Sequence, residues 1–156
     1  MKKALLFVTI LLLAAAFAAA QDKPNFTGKW VVDLAKSNFD PFPAPDSRTR
    51  VIDHKEPKLK ISETTKGQRG EFTFEREITT DGQENKSSMG PNEYVSKSRW
   101  EGKRLTTEGT LKLQDGTNID IKETTELSDD GQVMTLKVDL KGPQGEATQK
   151  ITFNKQ

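Results

Sequence analysis

Beyond residue 48, apolar side chains recur at every second position and tight-turn signals interrupt them about every ten residues. The signals are Lys66-Gly67, Asp81-Gly82, Gly90-Pro91-Asn92, Glu101-Gly102, Asp115-Gly116, Asp130-Gly131 and Gly142-Pro143-Gln144-Gly145. Asp-Gly is the strongest of them, because both residues tolerate the positive φ of a two-residue hairpin turn. A period of two places alternate side chains on opposite faces, so each segment buries one face and wets the other. Segments this short leave no room for crossover helices, so neighbouring strands must run antiparallel.

Taken in order, Gly28 to Leu34 reads as a first strand with Trp30, Val32 and Leu34 on one face. Residues 35–47 carry Pro41, Pro43 and Pro45 between Phe39 and Phe42, which forbids a regular helix or a central strand. That segment is expected to be an ordered loop, its two Phe side chains on the barrel or over its mouth. Strands follow over 49–54, 57–65, 71–79, 83–89, 94–100, 104–113, 118–127, 133–140 and 147–153, the 83–89 segment being the weakest. The inward sets include Leu59 with Ile61, Phe72 with Phe74 and Ile78, and Met134 with Leu136, Val138 and Leu140. The expected fold is an all-β, antiparallel up-and-down meander of eight to ten strands. A long meander with one apolar face must close or stack on itself, and the hairpin order favours a closed barrel.

The N-terminus is a different kind of segment. Lys2 and Lys3 precede an apolar run, Ala4 to Ala20, broken by Thr9 and ending Ala18-Ala19-Ala20 before Gln21. This is the pattern of a cleaved signal peptide over residues 1–20; the alternative is an uncleaved membrane anchor, for which the run falls short of the span a membrane helix needs. Residues 21–156 then form one domain, exported to the periplasm or beyond, with no stable membrane anchor after cleavage. Loss of Lys2 and Lys3 turns the formal charge from +1 to −1. Near-neutral, interspersed charge gives no electrostatic case for nucleic acid. There are no cysteines, so packing alone must hold the domain together.

Phe26-Thr27-Gly28-Lys29-Trp30, followed by Asn38-Phe39-Asp40, resembles the opening of the lipocalin and fatty-acid-binding-protein superfamily, the calycins. Over most of its length the chain is similar to secreted bacterial lipocalin-like proteins of unassigned role. The resemblance implies a small barrel holding an apolar or amphipathic ligand. It also implies a structural part for Gly28 and Trp30, the indole plugging the closed end beneath a basic side chain, here Lys150 or Lys155. Two features depart from the fatty-acid-binding branch. Residues 35–47 are Pro-rich where that branch has helices. Ile151 and Phe153 stand where its last strand offers an Arg and a Tyr to a carboxylate.

Strict alternation turns several polar residues inward: Arg76, Ser96, Ser98, Thr107, Glu123, Thr125 and Gln149. A wet cavity tolerates such residues better than a packed interior does. Arg76 is placed to pair with Glu123 or to meet an anionic ligand head, and bulges that turn these residues outward are the alternative. Tyr94 and Trp100 share the inward phase, as pocket lining or as core. The candidate ligand-binding set is therefore Arg76, Tyr94, Ser96, Ser98, Trp100, Glu123 and Gln149. His54 is the only histidine and is expected at the surface. With one His and no Cys the sequence offers no zinc site, no cofactor motif and no nucleophile-His-acid arrangement, so an enzyme is not expected. The favoured function is a binding protein holding a small apolar or amphipathic molecule. The alternative is a filled barrel acting as a protein-interaction or structural module, with an aromatic patch around Phe39 and Phe42.

Overall fold

The computed structural model describes residues 23–156; the leader expected over residues 1–20 lies outside the described residues. Ten strands follow in order: β1 (Gly28–Val32), β2 (Ser47–Lys55), β3 (Lys58–Gly67), β4 (Gly70–Thr79), β5 (Asp81–Met89), β6 (Asn92–Glu101), β7 (Arg104–Lys112), β8 (Asn118–Leu127), β9 (Val133–Gly142) and β10 (Gly145–Lys155). They form one antiparallel sheet in the order β4-β3-β2-β1-β10-β9-β8-β7-β6-β5. First and last strands pair, Val32 opposite Phe153, which curls the meander into a nearly closed barrel.

The single break falls between β4 and β5, the two edges of the sheet. It coincides with Asp81-Gly82, the place where the sequence signals a hairpin most strongly. Gly82 does have a positive φ of 81°. That freedom serves a bulge, because the β5–β6 register shifts between Asp81 and Glu84. The Asn85 side chain bridges the seam instead, accepting from the Thr79 amide at 3.2 Å and donating to the Thr79 hydroxyl at 3.3 Å.

β1 stops at Val32, and Leu34 begins a 3-10 turn (Leu34–Lys36) rather than extending the inward face; its side chain is exposed. Asp33 caps that turn by accepting from the Lys36 amide. The chain then rejoins β10 through an Asn38–Lys150 bridge and reaches β3 where the Asp46 amide donates to the Lys66 carbonyl, so beyond the 3-10 turn the Pro-rich loop runs without a helix. Phe39 is buried there, whereas Phe42 is exposed.

The inward phase is continuous around the barrel, as the register Arg50–Glu63, Ile52–Ile61, Ser98–Thr107 and Leu136–Ile151 shows. The base is a closed apolar layer of Phe26, Trp30, Ile52, Leu59, Ile78, Leu105, Met134 and Phe153. Trp30 is fully buried, donates from Nε1 to the Phe26 carbonyl at 2.9 Å and lies under Lys155, whose Nζ is 5.3 Å from the ring centre. Lys150 is on the outer face instead. Gly28 is explained by the same contact: a Cβ there would lie 2.8 Å from Lys155 Cε. The Gly-x-Trp spacing thus lets a lysine stem cross the strand and reach the indole.

Candidate functional site

Above the base, the inner face turns polar. Arg50 on β2 donates from Nε to Glu63 Oε2 on β3 at 2.7 Å, and its guanidinium covers the Phe153 ring at 5.3 Å. Arg48, one inward step nearer the mouth, stacks on Phe39 at 5.5 Å and approaches Glu63 only to 3.8 Å. Arg76 on β4 reaches across the lumen to Glu123 on β8, with Nη2 and Oε2 2.5 Å apart. Tyr94 on β6 is 1% exposed. Its ring occupies space that Gly109 on β7 leaves free: a Cβ at Gly109 would lie 2.8 Å from Tyr94 Cε2 and 2.7 Å from Ser96 Cβ.

Three donors in this belt lack a partner: Arg48 Nε, Arg76 Nε and the Tyr94 hydroxyl. The Tyr94 hydroxyl sits beside Arg76 and Ser96 without a bond of normal geometry to either. A buried donor left unpartnered costs about 1–3 kcal/mol, so three in one layer is a concentrated expense of stability. Burial, and then the Glu123 charge, push the Tyr94 phenol up to about 12, so it remains a donor through the physiological range. Burial alone would raise the Glu63 carboxyl, but the Arg50 and Arg48 charges outweigh it and hold the group below its ordinary range. For Arg76, burial opposes the charge and Glu123 restores it. For Arg48, burial wins, and Glu63 does not fully offset it.

The sequence-predicted residues do not all meet in one place. Arg76, Glu123, Tyr94 and Ser96 come together in the belt. Ser98 lies lower and bonds Thr107 hydroxyl to hydroxyl at 2.8 Å, closing both. Thr125 is half-buried, opposite Leu105 near the base. Gln149 is committed to the loop, donating to the Phe39 carbonyl at 2.6 Å. Trp100 does not line the belt. It stacks on Phe26 at the base, rings 5.7 Å apart and nearly parallel, and donates to Glu56 at 2.8 Å.

His54 is not a surface residue. It is 4% exposed and stacked beside Phe26 and Trp100. Its Nδ1 accepts from the Phe26 amide at 3.2 Å, so the ring hydrogen is on Nε2 and points to Glu56 at 3.1 Å. Burial would raise the Glu56 carboxyl, but bonds from Thr80, Trp100 and His54 together bring it below its ordinary value. Arg48, Arg50 and Glu63 are belt residues that the sequence reading misses. Their signal was present, since Arg48 and Arg50 are in phase with Ile52, and Glu63 with Leu59 and Ile61.

Two concave regions lie on the outside of the barrel. A saddle of about 930 Å³ crosses β5–β10, lined by Lys97, Glu108, Lys122 and Asp139 among others, and a smaller one of about 400 Å³ crosses β2–β4. Their charges pair across neighbouring strands, as in Lys122–Glu108 at 3.1 Å and Lys60–Glu77 at 3.7 Å. They are solvated faces on which many of the charges are already matched.

No protein-family model and no curated protein matches the sequence. Solved structures do match the fold. The zebrafish ileal bile acid-binding protein in complex with cholic acid is 19% identical, with a TM-score of 0.57 over 84% of this chain and 98% of that one. A secretory abundant heat soluble (SAHS) protein of Ramazzottius varieornatus is 11% identical, with a TM-score of 0.61 over 88% and 100%. A mutant of the fatty acid transporter REP1-NXSQ is 16% identical, with a TM-score of 0.57 over 83% and 97%. The architecture these structures share with the chain is the antiparallel β-barrel. At these identities the likeness concerns the fold alone.

Proposed function

We propose that this protein holds a small apolar or amphipathic molecule in the upper half of its barrel, outside the cytoplasm. The observation that carries this reading is a gradient of exposure along the inner face. At the base Trp30, Met134 and Phe153 are wholly buried. Towards the mouth Leu111, Ile119 and Leu140 share the inward phase yet remain only partly covered, and Phe72 on the rim is 56% exposed. Apolar side chains that face inward and stay partly wet are what an open cup presents to a ligand. The bile-acid and fatty-acid proteins of the same fold support this class of ligand. The basic, apolar, Ala-terminated leader supports export to the periplasm or beyond, and N-terminal sequencing of protein from an envelope extract should begin at Gln21.

A second reading rests on Phe42 and Phe72, both more than half exposed: a filled barrel whose aromatic rim contacts a protein. Native mass spectrometry of protein expressed with its leader separates the two. Binding predicts a stoichiometric extra mass that leaves on denaturation. A clean apo mass, unchanged after challenge with mixed lipids and hydrophobic metabolites, favours the interaction module.

A further inference from the structure

We propose that the β4 edge of the seam receives an extended basic peptide as an added strand, its apolar side chains turned in beside Phe72 and Phe74. The edge is the same in a hollow and in a filled barrel, so this surface stands apart from whatever the cup holds.

The first observation is the open backbone. β4 is the last strand on its side of the sheet, and no strand pairs with its outer edge. At the foot of the seam the Asn85 side chain accepts from the Thr79 amide, so that amide faces the seam. Backbone groups alternate in direction along a strand, so the amides and carbonyls of Glu77, Glu75, Thr73 and Glu71 face it too. Among the described residues these groups have no backbone partner. A row of unpaired donors and acceptors is a template for one more strand. β5, across the seam, is the poorer template, because the bulge between Asp81 and Glu84 interrupts its register.

The second observation is charge. Arg76 and Ile78 face inward, so Glu71, Glu75 and Glu77 project outward from the edge strand, and all are exposed. Glu71 meets Lys66 at 2.7 Å, and Glu77 stands 3.5 Å from Lys58 and 3.7 Å from Lys60. Glu75 lies opposite Ser62 and makes no ion pair among the described residues. A lysine or arginine directly across from Glu75 on an added strand is therefore favoured, and an acidic residue is opposed. The same rule disfavours a second copy of this chain. Full antiparallel overlap of two β4 edges sets Glu71 against Glu77.

The third observation is the inner face of the same strand. Phe72 is 56% exposed and Phe74 is half-buried, although both have the inward phase of Arg76 and Ile78. Neighbouring strands lie about 5 Å apart, so apolar side chains at alternate positions of an added strand would cover both rings. Phe72, Thr73 and Phe74 also favour extended backbone, which keeps the edge ready to pair. The occupant that fits is thus a strand with apolar residues on one face and basic residues on the other.

Titration calorimetry and hydrogen exchange on the intact protein test this with acetylated, amidated peptides of about eight residues. A peptide of alternating valine and lysine should bind at least about tenfold more tightly than one of alternating valine and glutamate. Its binding should slow exchange of the Glu71, Thr73 and Glu75 amides. In an antiparallel pair the residue opposite Glu75 exchanges both backbone bonds with it, and here that residue is a lysine. N-methylation of the lysine amides should therefore abolish binding, whereas N-methylation of the valine amides should leave it within about threefold. Glu75→Lys, at an exposed position, should melt as the wild type does and shift the preference toward the glutamate peptide. Equal binding of the two methylated forms overturns the added strand and leaves charge attraction alone. An absence of binding overturns it too, as does protection confined to the outer saddle of β5–β10. If the same amides become protected as the free protein dimerises on concentration, a second copy takes the edge and the basic peptide is overturned as its occupant.

Discussion

The apolar base of the barrel holds a few polar groups and the belt above it holds many, and the two are finished to different degrees. At the base each polar atom discussed has a partner. The indole of Trp30 donates to Phe26, His54 uses both ring nitrogens, and Glu56 accepts from Thr80, Trp100 and His54. One layer up, two ion pairs are well made, yet three donors and one positive charge are left over. The same chain closes one network and leaves the adjacent one open. Unmatched polar groups are not a general looseness of this fold; among the described residues, the buried side-chain atoms without a partner all lie in the layer that faces the cup.

The comparison is sharpened first by attacking the closed end. Trp30→Ala removes the fully buried plug and should cost about 3–5 kcal/mol in denaturant unfolding. A loss under about 1 kcal/mol would show that the base is not the stability centre.

Next comes the transverse pair. Glu123→Met leaves Arg76 buried without its partner and should destabilise by about 3 kcal/mol. The double variant Arg76→Met/Glu123→Met should recover most of that loss. If single and double variants fall equally, the two residues are not coupled.

A smaller effect is expected from acid. The Glu63 carboxyl is held below its ordinary value of 4.5. Its contribution is therefore fully present above that value and is lost as pH falls through the depressed one. The Glu63→Gln variant starts less stable, but its stability should fall less steeply with pH below about 4.5 than the wild type's. Parallel slopes in urea melts across that range would assign the acid sensitivity elsewhere.

The smallest pair is the most direct test of the contrast. Ser98→Ala strips a hydroxyl from a closed pair and leaves Thr107 alone, for a loss of about 1 kcal/mol. Tyr94→Phe strips an unpartnered hydroxyl and should change stability by less than about 0.5 kcal/mol, or raise it. Equal losses at the two positions would erase the distinction between the layers.

Much of this was legible in the chain. Alternation located the strands, and the inward phase placed Arg76, Tyr94, Ser96 and Glu123 on the lumen before any pairing was known. Turn chemistry was less complete evidence. Asp81-Gly82 carries the signature of a hairpin, but the same φ freedom serves a bulge, and the ladder breaks there. Gly109 was a readable signal as well, since a glycine inside a strand marks a close approach, here of the Tyr94 ring. His54 misled because one histidine without metal-ligand spacing looks like a surface residue. What buries it is stacking on Phe26 and Trp100, and Phe26 lies 28 residues away in the chain.

The sequence by itself determined the local terms: where strands run and which side chains face in. These follow from backbone geometry within a few residues, and no distant contact is needed to set them. The tertiary structure decided which inward residues meet. Arg76 finds Glu123 across 47 positions, and Lys155 rather than Lys150 covers Trp30. Those choices depend on the register in which β1 closes on β10 and on the tilt that brings opposite walls face to face. That closure set the partners, and with them the donors left without one.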